Sequence, residues 1–349
     1  MSNQTKSNST EDLRSILLAN LAINVYTDKL SLFLIIPMGI LGTVFNLISF
    51  SVFCKKTFGD VALFKYLRVY TFSSLIVSSS LIFSFYFSPY TLPELLLAYS
   101  TRIYACQLAP SYVTIFFFLY ENVIDIFINI ERALCFSNGF KRYKKISPYL
   151  ICFILFFVCI LINGPNYLLY DIIPDSELAT KERICALSGF VLTPVGQLLL
   201  MISYIIQGPV VLGISVGTNL IAVISYRKFL KKKAQTRFTN NKNKDNETSA
   251  KEKREEKMNR SLLLMTVYLN ILSAIYHLIQ FSAQFSLFIF FLSNWVAAWF
   301  VFTGMFIFSL KSILNIFFYY HYNNKFKEAL LFCVKKPTRE DATIITRVK

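Results

Sequence analysis

SPYLICFILFFVCILINGPNYLLY (Ser147–Tyr170) carries no charged residue over twenty-four positions. The basic cluster Lys141, Arg142, Lys144 and Lys145 precedes it, and the acidic stretch beginning at Asp171 follows it. An apolar run of about 20 residues crosses the hydrocarbon core of a bilayer as a helix, because only a helix satisfies its own backbone there. Six further runs of this kind flank it: Leu30–Cys54, Val61–Ser88, Ile103–Ile130, Val195–Tyr226, Ser261–Leu292 and Trp295–Tyr320. The chain of 349 residues is 55% hydrophobic and holds 35 Phe and 20 Tyr. A soluble core of that size needs no such runs, so the expectation is an all-α membrane protein, a bundle of seven spanning helices.

Charge sets the expected orientation. Lys and Arg alternate between poor and rich joints. Six fall on the side of the N-terminus (Lys6, Arg14, Lys29, Arg102, Lys181, Arg183) and 29 on the other, with Lys65 and Arg68 counted at the inner start of the second run, leaving one deep inside a run. Short cytoplasmic loops collect Lys and Arg, so the N-terminus is expected outside. The net charge of +16 then reports topology and attraction to anionic lipid, with no call for a nucleic-acid partner. The expected organisation is an outer tail over 1–29, a seven-helix unit over 30–320 with a long inner joint at 227–260, and an inner tail over 321–349. The first half of that joint reads as mobile, and 249–259 as an inward extension of the sixth helix.

Asn3 and Asn8 open N-glycosylation sequons in the outer tail. Cys106 and Cys185 are the two cysteines on the outer, oxidising side, where they either bridge the fourth joint to the third run or stay as thiols. Cys333 follows an amphipathic stretch after the seventh run and is a palmitoylation candidate.

Five motifs in order resemble the rhodopsin-like class of G-protein-coupled receptors. They are Gly42-Thr43-Val44-Phe45-Asn46, then Glu131-Arg132-Ala133 lying 26 residues after Cys106, then Gly208-Pro209. Asn315-Ile316-Phe317-Phe318-Tyr319 follows, and last comes Phe326 in an amphipathic segment at 323–334. The last resembles that family's short eighth helix. The resemblance covers about residues 30–335 and is closest in flavour to invertebrate serpentine chemoreceptors. It departs from the family in four places. Ala133 replaces the Tyr of the third-helix motif, and Ile316 replaces the Pro of the seventh-helix motif. Thr71–Ser74 stands where a buried Asp is usual, and the sixth helix lacks its Trp and Pro. The resemblance implies a receptor that couples an unknown extracellular ligand to a heterotrimeric G protein. Glu131, Arg132, Asn315 and Tyr319 would be its switch residues. An arginine beside Glu131 at a helix end can exchange partners, and plain snorkelling to the interface is the bland alternative.

Ionisable groups at membrane depth are costly and usually functional. Glu121 and Asp125 lie four apart on the third run, and Lys311, the one basic residue deep inside a run, lies on the seventh. In the family this depth holds a sodium ion beside the second-helix Asp. Lys311 is therefore expected to stand for the ion and Glu121 for the missing carboxylate, with Asp125 nearby. The retinal-binding position of opsins corresponds to Ser309, two residues from Lys311, which argues against a Schiff base. Tyr112, Val113, Tyr276, His277, Gln280 and Gln284 are candidate ligand-pocket residues. An interhelical hydrogen bond is preferred for His277, and the residues at 112–114 argue against a cationic amine. No paired catalytic acids, nucleophile–base set or metal cluster is apparent, so no enzyme, cofactor or metal is expected. A seven-helix transporter or ligand-gated chemosensory channel is the alternative.

Overall fold

The computed structural model describes residues 30, 33–59, 61–86, 112–136, 146–168, 170–174, 183–239, 267–268, 271–276, 278 and 294–334. Asn3, Asn8, Cys106, His277, Gln280 and Gln284 lie outside the described residues. Of Cys185 and Cys333 only the backbone is described.

The body is helical. In chain order come α1 (Phe33–Phe53), a 3-10 turn at Lys56–Phe58, α2 (Ala62–Tyr86), α3 (Thr114–Phe136) and α4 (Pro148–Tyr167). A two-stranded ribbon follows, β1 (Tyr170–Pro174) with β2 (Arg183–Leu187), and then a one-turn helix at Gly189–Leu192. Next is the long α5, built of Pro194–Ile205, a π-helical turn Ile206–Val210 and Val211–Thr239. The helical stretch α6 (271–276) leads to α7 (Asn294–Tyr322) and α8 (Asn324–Val334).

Among the described residues four helices are long and apolar enough to cross a membrane: Phe33–Phe53, Pro148–Tyr167, Pro194–Lys232 within α5 and Phe302–His321 within α7. α2 and α3 have the length but are more polar. α2 is rich in serine and α3 carries Glu121, Asp125, Glu131 and Arg132. Those polar groups turn inward, while the outer faces of α1, α4 and α5 are apolar. Leu161 is 78% exposed and Phe33 72%, yet Asn46, Glu121 and Lys311 are at most 2% exposed. Such a surface would be an aggregation hazard in water and matches lipid.

Local chemistry explains the helix ends. Pro148 and Pro194 occupy first-turn positions, where a missing N–H costs nothing. Thr193 caps α5 by accepting from the Gly196 N–H at 3.0 Å. A Cβ at Gly196 would stand 2.0 Å from the Phe190 carbonyl oxygen, so only glycine fits beneath the one-turn helix. Pro209 removes a donor from α5, and the chain absorbs this as the π turn.

Two expectations are corrected. The outer joint is not free of strands: β1 and β2 pair antiparallel, Ile172 opposite Cys185 and Ile173 opposite Ile184. Branched residues favour that extended, paired backbone. The fifth run extends further than expected into the inner joint, because α5 continues to Thr239. Arg227–Thr239 contains no Gly or Pro and is rich in Lys and Arg, which propagate a helix.

Aromatic rings tie one end of the bundle. Phe53 of α1 meets Phe58 at 5.6 Å, Phe64 at 6.2 Å, Tyr319 at 5.0 Å and Phe326 at 5.2 Å between centroids. One cluster therefore joins α1, α2, α7 and α8. Arg68 reinforces it. Its Nε and Nη2 donate to the Phe53 carbonyl at 3.1 and 2.7 Å, and its Nη1 donates to the Tyr149 hydroxyl of α4 at 2.6 Å. Lys55 donates to the Ala329 carbonyl of α8 at 2.8 Å.

Candidate functional site

Helical periodicity sets out the inner polar stripe. On α3, Glu121, Asp125, Asn129 and Arg132 follow at intervals of four, four and three, so they share one face. All four are buried. On α7, Lys311, Ser312, Asn315 and Tyr319 do the same.

The two stripes meet. Lys311 Nζ lies 3.0 Å from Glu121 Oε1, and the two side chains are 2% and 3% exposed. The ammonium also stands 5.8 Å from the centre of the Tyr70 ring of α2. The Tyr70 side chain is buried in the electrostatic field of Glu121 and Asp125. Burying one charge alone is prohibitive, whereas a close pair recovers much of the lost hydration through mutual attraction in a poor dielectric.

Beside the ion pair, Asn46 of α1 donates from Nδ2 to Ser312 Oγ at 2.7 Å and to Ser78 Oγ at 3.3 Å. Ser78 and Ser312 share a hydrogen bond of 2.7 Å. Three helices are joined through one triad. Gly42 leaves room for it, since a Cβ there would lie 3.0 Å from Ser78 Oγ and 3.3 Å from Ser312 Oγ.

The second-helix partner of Asn46 is Ser78, not a residue of the Thr71–Ser74 stretch that stands where the family has its Asp. Thr71 donates to the Leu67 and Arg68 carbonyls and Ser73 to Val69, each within its own helix. Ser78, Ser312 and Tyr70 were missed. Ser312 follows Lys311 directly, and Ser78 lies in a run of serines in an otherwise apolar segment. Both were signals of a kind.

At the end of α3, Arg132 is 5% exposed, which is not the geometry of snorkelling. It interacts electrostatically with Tyr319 of α7, as do Asp125 and Glu121. Tyr319 is fully buried between Phe53 and Phe326. Glu131 is half-buried next to Arg132. Asn315 is fully buried one turn before Tyr319.

The candidate pocket residues that are described serve as packing. Tyr112 and Val113 are half-buried. The Tyr112 ring lies 6.2 Å from Phe116 and 5.6 Å from Tyr167 of α4. Tyr276 is half-buried between Phe118 of α3 at 4.4 Å and Phe308 of α7 at 5.4 Å. A polar set that sequence reasoning did not single out ties α3, α4 and α5. Asn163 donates to the Tyr112 carbonyl at 3.2 Å, Ser203 to the Ile162 carbonyl at 2.8 Å, and Gln207 to Asn163 Oδ1 at 3.3 Å. Among the described residues no three His, Cys, Asp or Glu side chains converge as a metal set.

No protein-family model matches the chain, and none of the curated proteins matches it.

Proposed function

We propose that this chain is a seven-helix receptor of the rhodopsin-like kind in the plasma membrane, with its N-terminus outside. It would transduce an unidentified extracellular ligand to a heterotrimeric G protein. One observation carries the reading: Arg132 is buried at the end of α3, with Tyr319, which the aromatic cluster holds on α7, within the field of its charge. An arginine buried at a helix end is a donor that can change partners when the helices move apart. The basic inner joints, with 13 Lys and Arg in residues 227–260, suit the acidic and lipid-bound surface of such a partner. The buried Lys311–Glu121 pair would hold the transmembrane core together in the resting state, in the place where this class keeps a metal ion.

The test is expression with a panel of promiscuous G proteins, reading constitutive and ligand-driven signal. Arg132→Ala at equal surface expression should abolish coupling. An unchanged signal, or none from the parent chain with any G protein, counts against the reading. The transporter or channel alternative puts the N-terminus elsewhere in its best-known chemosensory form, so glycosylation at Asn8 discriminates between them.

A further inference from the structure

Amide and hydroxyl side chains pack together where α4 meets α5: Asn163, Asn166, Ser203 and Gln207. They lie inside two of the apolar spans, Pro148–Tyr167 and Pro194–Lys232. Asn163, Asn166 and Ser203 are at most 2% exposed, and Gln207 is half-buried. Asn166 Nδ2 donates to Asn163 Oδ1 at 2.7 Å and to Ser203 Oγ at 3.5 Å. Gln207 Nε2 donates to the same two atoms, at 3.3 and 2.7 Å. The amides of Asn166 and Gln207 therefore lie side by side on shared anchors.

The donors of this cluster are engaged, and two of its acceptors are not. Asn163 gives its Nδ2 to the Tyr112 carbonyl, and Ser203 gives its hydroxyl to the Ile162 carbonyl. Asn166 Oδ1 is buried and makes no hydrogen bond among the described residues. Both bonds of Gln207 leave from Nε2, and Oε1 points away from it in the amide plane. Turning the Asn166 amide over would set its oxygen against Asn163 Oδ1, so the spare atom is an oxygen. What the cluster lacks is a donor. Hydrocarbon supplies none, since no water is dissolved there to hydrogen-bond. The cluster also borders the apolar exterior. Ile202 beside Ser203, Tyr167 beside Asn166 and Val210 just beyond Gln207 are 45%, 47% and 43% exposed.

We propose that the paired amides of Asn166 and Gln207 are a binding site, reached from the bilayer, for the hydroxyl of a lipophilic alcohol. Its O–H donates to the unused amide oxygens, while its apolar body lies along the exposed faces of α4 and α5. The spare hydrogen-bonding capacity decides the class. A ketone, ester or ether has no hydrogen to give. An ammonium would bring an unpaired charge to membrane depth. An amide would bring a carbonyl of its own to donors already engaged. The inference stands on this cluster alone and does not require the receptor reading.

The test uses the full chain in phosphatidylcholine nanodiscs and two photoreactive probes, a diazirine-bearing hexadecanol and its methyl ether. The alcohol should label peptides of α4 and α5, and excess unlabelled hexadecanol should suppress this. The ether differs only in lacking the donor. It should need about five times the concentration for the same labelling, the equivalent of one hydrogen bond. Gln207→Met keeps the length of the side chain and removes its oxygen, and should bring the alcohol to the level of the ether. Gln197→Met, the same change at an exposed position of α5, should alter nothing. Equal labelling by alcohol and ether overturns the proposal. So does labelling that excess hexadecanol leaves unchanged, or a folded Gln207→Met variant that labels like the parent. If Gln207→Met does not fold, the comparison of the two probes on the parent chain decides the matter alone.

Discussion

Removing one partner of the Lys311–Glu121 pair should damage this protein far more than removing both. The contact is 3.0 Å and both side chains are almost wholly buried. At an effective dielectric of about 20, unit charges at that separation attract by about 5–6 kcal/mol, which is gross attraction and not net stability. Burial of the two ions offsets most of it. Glu121→Gln leaves the ammonium buried and uncompensated, and Lys311→Met leaves Glu121 with Asp125 one turn away on the same face. Each single variant should lose about 3–5 kcal/mol, the range seen when a buried pair is broken. Glu121→Gln with Lys311→Met removes both charges and keeps the volume nearly constant. It should lie within about 2 kcal/mol of the parent. The coupling energy is then several kcal/mol, where sites with no interaction would give a few tenths. Thermal unfolding in detergent gives the cycle directly, and surface expression gives it in cells. If the two losses simply add, the pair contributes no mutual stabilisation and the reasoning fails.

Three further outcomes are expected. Gly42→Val should lower the melting temperature more than Gly39→Ala, because bulk at Gly42 meets Ser78 and Ser312, whose hydrogen bonds then break; equal effects would show that the triad yields freely. Arg68→Ala should cost about 1–3 kcal/mol, as it removes a charged donor from the Phe53 carbonyl and from Tyr149. Arg68→Lys should restore only part of this, since an ammonium cannot reproduce the forked contact, and full restoration in unfolding experiments would contradict it. Asn8→Gln should remove a glycosidase-sensitive mass shift from the protein in cells, and an unchanged gel mobility would count against an outer N-terminus.

Much of the architecture is legible without coordinates because lipid is a demanding solvent. A backbone in hydrocarbon must close its own hydrogen bonds, so the uncharged run Ser147–Tyr170 already implies the helix α4. Pro148 even marks its first turn. Lys311 stands out in the same way, as the one basic residue that the joints do not hold. The cost of leaving it there is so high that a buried acid is implied. Legibility falls where two local readings compete. Arg227–Thr239 looks like a polar linker by composition and like a helix by propensity, and propensity prevails. The ribbon at Tyr170–Pro174 and Arg183–Leu187 depends on two short segments meeting across a loop, which no local pattern records.

The sequence by itself determined the membrane solvent, the helical body, the depth of the charged groups and the faces they share, because each follows from spacing along one chain. Only the tertiary structure decided which groups meet. Glu121 and Asp125 present the same α3 face, and the rotation and tilt of α3 against α7 choose Glu121 for Lys311. The same approach of α1, α2 and α7 selects Ser78 over Thr71–Ser74 for Asn46. Spacing along a helix sets direction and depth to within a turn, whereas a hydrogen bond of about 3 Å is settled by how whole helices rotate and pack against one another.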